Sequence, residues 1–239
     1  MRSRLIVPLV MSVGMLACSK APSPPPPDPA AVAKADAEAK ANKQLALYDQ
    51  MRTSGSSDIA ANLGDEIVKT YPNSAAAAQV QKTLADLHAK VTRESESKRL
   101  SRLWVYNNVP EAGGTQYSAA IASKESLPGN ARIRLVLRQH PKWGQSVYLL
   151  LDNATFDCSK GCATLSVAFD DASGQRMKAT IPPTGEPALF IDDNKDFIAR
   201  MEHAKSVAIN VTIKNVGAKT ETFEVGGYDA SKMPNKPKK

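Results

Sequence analysis

At about residue 102 the hydrophobic period of this chain changes, and that change limits what each side of it can become. Beyond it, Ile133, Leu135 and Leu137 alternate with Arg132, Arg134 and Arg138. Leu165, Val167 and Phe169 alternate with Thr164, Ser166 and Ala168, and Val207, Ile209, Val211 and Ile213 with Ala208, Asn210, Thr212 and Lys214. A period of two is that of a half-buried strand. Similar runs lie near 103–109, 115–123, 146–151, 176–181, 187–191 and 220–225. Gly113-Gly114, Pro128-Gly129-Asn130, Pro141, Ser173-Gly174, Pro182-Pro183 and Gly217 separate them. Short strands at even spacing predict an antiparallel β-sandwich over residues 101–230.

One short helix is expected among the strands, where Asp192-Asp193-Asn194-Lys195-Asp196 precedes Phe197, Ile198 and Met201. Its opening resembles the start of a calcium loop. Such a loop needs Gly at its sixth position and Glu at its twelfth, and Phe197 and His203 stand there. The favoured reading is a helix N-terminus whose acids complement the dipole.

Before the change the period is helical. Leu45, Tyr48 and Met51 form one stripe, Ile59, Leu63 and Ile67 a second, and Val80, Leu84, Leu87 and Val91 a third. Thr53-Ser54-Gly55-Ser56-Ser57 breaks the first from the second. Tyr71-Pro72-Asn73-Ser74 breaks the second from the third, because Pro72 cannot continue a helix and Asn73 or Ser74 can cap the next. The stretch Asp65 to Ala75 resembles the join between helices in tetratricopeptide-type repeats, such as those of bacterial envelope lipoproteins. Stacks of that kind need about three repeats to stand alone. The expectation for residues 39–100 is therefore a small helical hairpin, giving an α+β chain overall.

The N-terminus is an address. Arg2 and Arg4 precede an uncharged apolar run from Leu5 to Leu16. A spanning helix needs about 20 residues, so this run fits the apolar stretch of a signal peptide instead. Met15-Leu16-Ala17-Cys18 resembles the lipobox of bacterial lipoproteins. The resemblance implies removal of residues 1–17, acylation of Cys18 and attachment to a membrane through that lipid. Ser19, where Asp would signal inner-membrane retention, implies the periplasmic side of the outer membrane. An ordinary signal peptide with an incidental Cys18 is the alternative. Residues 18–38 then form the anchor and a proline-rich linker. Ala21 to Pro29 (APSPPPPDP) favours polyproline II and reaches ~28 Å.

The formal charge of +7 overstates the basic character of the body. Arg2 and Arg4 leave with the leader, and Lys232, Lys236, Lys238 and Lys239 lie in a basic tail, residues 231–239, expected to be disordered. No basic face interleaved with aromatics points to nucleic acid.

Cys158-Ser159-Lys160-Gly161-Cys162 lies between a strand ending at Phe156 and another beginning at Ala163. Two thiols so close in an exported protein are expected to oxidise and pin the corner. A redox pair would show two intervening residues beside a βαβ pattern, and a metal site two further ligands.

No catalytic constellation appears. His88, His140 and His203 lack partners at metal-ligand spacing, and no H-E-x-x-H, G-x-S-x-G, Walker or Rossmann motif occurs. No catalytic residue, metal or cofactor is assigned. Trp104 and Tyr106 alternate on one strand and read as core, whereas Trp143 follows a proline turn and reads as an exposed anchor. Trp143 and Lys160 are the candidate binding residues. Trp104 to Gly227 also resembles uncharacterised proteobacterial envelope domains: an opening Trp-x-Tyr, the short Cys pair, an Asp-rich helix start and a closing Phe-x-Val-x-Gly. The expected function is non-catalytic binding or scaffolding of a protein partner in the envelope. An anchored inhibitor or immunity protein against a periplasmic hydrolase or toxin is the alternative, and a cell-wall-modifying enzyme a third.

Overall fold

The computed structural model describes residues 28–234. The leader, Cys18, the proline run up to Pro27 and residues 235–239 lie outside the described residues. The chain divides into two units, Met1–Leu84 and Ala85–Lys239.

The first unit contains α1 (Pro29–Thr53), α2 (Ser57–Thr70) and the start of α3 (Ala75–Ser101). Helix α1 begins at Pro29 rather than at 39, so residues 29–38, assigned to the linker, are helical. Asp28 causes this: its Oδ1 accepts the Ala30 N–H at 3.0 Å, and Pro29 sits in the first turn, where its missing N–H costs nothing. Ser74 starts α3, its Oγ accepting the Ala77 N–H at 3.0 Å.

Tyr48, Ile67 and Val80 are buried as the expected stripes require, and the departure is on α2 at Ile59. Ala60, Ala61, Gly64 and Ile67 are buried on α2, while Ile59 is exposed. Small residues win because the helices approach closely. A Cβ on Gly64 would lie 2.7 Å from Leu84 Cδ1 and 3.0 Å from Tyr48 Cε2. Tyr48 is fully buried, with its hydroxyl 2.9 Å from Thr83 Oγ1.

The second unit takes in the remainder of α3, which ends at Ser101. Two contacts tie that end of the helix to the β domain. Arg99 bridges Glu96 and Glu224 at 2.7 and 2.8 Å, and Gly227 lies so close to the Leu100 backbone that any Cβ would collide with it.

Nine strands follow: β1 (Trp104–Glu111), β2 (Gly114–Ala122), β3 (Arg132–His140), β4 (Gly144–Asp152), β5 (Thr164–Phe169), β6 (Gln175–Thr180), β7 (Ala188–Ile191), β8 (Val207–Ile213) and β9 (Gly217–Phe223). They make one antiparallel sheet in the order β1-β2-β3-β4-β7-β6-β5-β8-β9. The two halves are continuous through Ala179–Ile191 and Thr180–Phe190. Leu135 and Leu149 from one half share a single buried cluster with Val167 and Ile209 from the other. The sheet is thus sandwich-like, folded over one core. The expected short helix, α4 (Asn194–Met201), adds Phe197, Ile198 and Met201 to that cluster. Its acids act locally: Asp192 accepts from Thr180 Oγ1 and Asp196 pairs with Arg200.

The C-terminal segment corrects the expected disorder of 231–239 over its first residues. Ala230–Lys232 forms a 3-10 turn, Asp229 accepts the Ser231 N–H, and Lys232 Nζ lies 4.6 Å from the Tyr106 ring centroid. Met233 packs against the core. Apolar contact and a cation–π pair hold this stretch in place.

Candidate functional site

The most developed surface feature lies on the outer face of β3, β4 and β7. Leu135 and Leu137 of β3 enter the core, so Val136, Arg138 and His140 take the other face. Register then aligns Val136 with Tyr148 and Tyr148 with Phe190, and Arg138 with Ser146. Strand alternation and register together therefore gather an arginine and two aromatic rings from three strands.

Pro141, Lys142 and Trp143 join β3 to β4, and Gly144 completes the turn at φ +76°, a conformation suited to glycine. His140 organises this turn. It is buried, and its Nδ1 accepts the backbone N–H of Lys142 at 3.1 Å and of Trp143 at 3.2 Å. The Trp143 indole stacks on the imidazole with centroids 3.9 Å apart and planes 16° from parallel. Even so, Trp143 is 65% exposed.

The Arg138 guanidinium carbon lies 5.6 Å from the Trp143 ring centroid, 5.5 Å from Tyr148 and 5.9 Å from Phe190. Tyr148 and Phe190 stack at 4.8 Å. Arg138 Nε donates to Ser146 Oγ at 3.2 Å. Among the described residues no carboxylate forms an ion pair with Arg138, whereas neighbouring Arg134 is engaged by Asp152 at 2.8 Å. Burial raises the Tyr148 hydroxyl above its ordinary pKa; Arg138 and Arg134 oppose the rise and Glu186 adds to it. This hydroxyl is held neutral, an apolar ring with a polar tip. The arrangement presents a flat aromatic face beside a cation free to accept an anion.

Arg138 also lines an open cleft of about 450 Å³ with Gln139, Gln145, Glu202, Tyr228 and Ser231. The cleft brings together polar groups, among them the Ser231 hydroxyl, which donates to Asp229 Oδ1 at 2.6 Å. No group of three or more His, Cys, Asp or Glu suited to a metal occurs among the described residues.

Trp104 is core, 5% exposed and packed on Tyr228 at 5.1 Å. Cys158 and Cys162 are joined by a disulfide across a Cα separation of 5.1 Å. The strand before them ends at Asp152, not Phe156; Phe156 makes an isolated bridge to Ile213, and β5 begins at Thr164. Lys160 is exposed at the tip of this disulfide loop. The loop is carried by β8 through the Asp157 N–H to Thr212 O bond, so the structure does not bring Lys160 together with Trp143.

His140, Arg138, Tyr148 and Phe190 join the site only in the structure. Their gathering depends on the register of three strands, which spacing within one strand does not encode.

Neither a family model nor a curated protein matches this chain. Among solved structures it is similar to invasion associated protein B from Bartonella henselae. The identity is 17%, with a TM-score of 0.37, over 52% of this chain and 84% of that one. So loose a superposition carries no argument about function.

Proposed function

We propose that this chain is a non-catalytic, lipid-anchored binding or scaffold protein of the bacterial envelope, facing the periplasm. The observation that carries the reading is Trp143, a large apolar ring left 65% exposed yet fixed by stacking on buried His140. An exposed Trp held in one orientation loses little freedom when a partner covers it, which is the economy of an interface anchor. The partner surface that fits it brings an apolar group to the indole and a carboxylate to Arg138. The lipobox-like sequence ending at Cys18 supplies the anchor. The Cys158–Cys162 disulfide fits an oxidising compartment. Membership in the outer membrane rests on Ser19 after the lipidation site.

Crosslinked affinity purification of the tagged full chain from its own envelope tests the reading. A partner recovered with the wild type and lost with Trp143→Ala supports it. Recovery of the same proteins by both forms, or of nothing above background, contradicts it.

A further inference from the structure

Glu221 lies on β9 in phase with Phe223, on the core-facing side of an edge strand and opposite Ile209 of β8. It is 0% exposed, and neither carboxylate oxygen has a hydrogen-bond partner. An ionised carboxylate left so would carry a desolvation penalty that only Ser123 and Lys219 oppose. An inward charge on an edge strand guards against edge-to-edge pairing. That accounts for a charge at this place but not for its complete burial without a partner.

What buries it is informative. The connection from β2 to β3 crosses the free edge of β9. Lys124 N donates to Thr222 O at 2.8 Å, and Thr222 N donates to Glu125 Oε2. Both polar groups of the Thr222 backbone, next to Glu221 in β9, are thereby capped by residues of the β2–β3 connection. The titratable and polar groups that act on Glu221 come from each side. Glu125 and Ser123 belong to the connection, Lys219 to β9 itself, and β8 presents apolar Ile209. Burial, the largest influence, and the Glu125 charge favour the neutral acid; Ser123 and Lys219 favour the anion.

We propose that the Glu221 carboxyl is an ionisation-controlled latch, closing the β2–β3 connection over β9 when neutral and loosening it when ionised. On ionisation the proton passes to solvent. The new charge then repels the Glu125 carboxylate, and the contact that gives way is the one Glu125 makes with the Thr222 N–H. Loosening uncovers backbone groups on an edge strand, the surface to which an extended segment can add.

The test is independent of Trp143 and of any partner. Carboxyl NMR titration of the isotope-labelled full chain is paired with hydrogen exchange at Thr222, corrected for intrinsic exchange. The expected result is a Glu221 titration above the ordinary carboxylate range, with Thr222 protection falling about tenfold across it. In Glu221→Gln, protection is expected to stay constant over the same range. A Glu221 titration in the ordinary range, or a Gln variant with the wild-type pH profile, overturns the proposal.

Discussion

The imidazole of His140 lies flat against the indole of Trp143, 3.9 Å between centroids, while accepting two backbone N–H bonds from the turn that carries that indole. One buried ring thus supports both the side chain and the backbone of the exposed one. Removing the indole should cost little stability: Trp143→Ala is expected within about 0.5 kcal/mol of wild type by thermal melt. The same change should weaken the partner complex by about 2 kcal/mol or more. His140→Ala should free the indole, seen as a drop in Trp143 fluorescence anisotropy in a Trp104→Phe background. An unchanged anisotropy would remove His140 from the site.

Closing the Cys158–Cys162 ring restricts only a short loop, so its stabilisation is modest. A chain-entropy estimate gives about 2 kcal/mol. The Cys158→Ser, Cys162→Ser double variant is expected to fold, with a lower Tm. Equal Tm values for the two proteins would show that the bridge contributes nothing.

Gly227 meets the Leu100 backbone without room for a methyl group. Backbone cannot rotate aside as a side chain can. Gly227→Ala is therefore expected to destabilise the second unit by about 1–3 kcal/mol, the cost of overpacking, measured by urea denaturation. Gly113→Ala is a poorer control, because Gly113 combines open space with φ +93°.

Arg99 holds both Glu96 and Glu224 below the usual carboxylate range through hydrogen bonds. The folded pKa is depressed, so the pairing stabilises above the unfolded value near 4.5 and its contribution is lost as pH falls through the folded value. In acid titration of the melt, Glu224→Gln should lose less stability than wild type between neutral and acid pH. Added salt should shrink the difference, since these groups are exposed. Equal pH profiles at low salt would contradict the pairing.

Much of the β domain was legible because half-buried strands write a period of two into the chain. Leu135 and Leu137, or Ile209 and Val211, face the core as their alternation requires. The helical unit was less legible: Ile59 satisfies helical spacing, yet Gly64 and two alanines make the close contact, and small residues leave no hydrophobic signature. The exposure of Trp143 followed from its turn. Its support did not, since His140, Arg138, Tyr148 and Phe190 meet only through strand register. Glu221 did leave a signal, a charge in phase with Phe223 and Val225. Only three-dimensional burial shows that it lacks a partner.

Lipid attachment has its own test. Cys18→Ser should accumulate as unprocessed precursor and take up no labelled palmitate. Normal processing and labelling of that variant would remove the anchor from the account.

The most direct measurement is site-specific photo-crosslinking of the full lipidated chain in its own envelope, with the probe at position 143 and, separately, at position 160. The account predicts a discrete adduct from 143 that charge reversal at Arg138 abolishes, and a different or weaker pattern from 160. No adduct from 143, or the same adducts from both positions, would contradict Trp143 as the anchor of a binding surface.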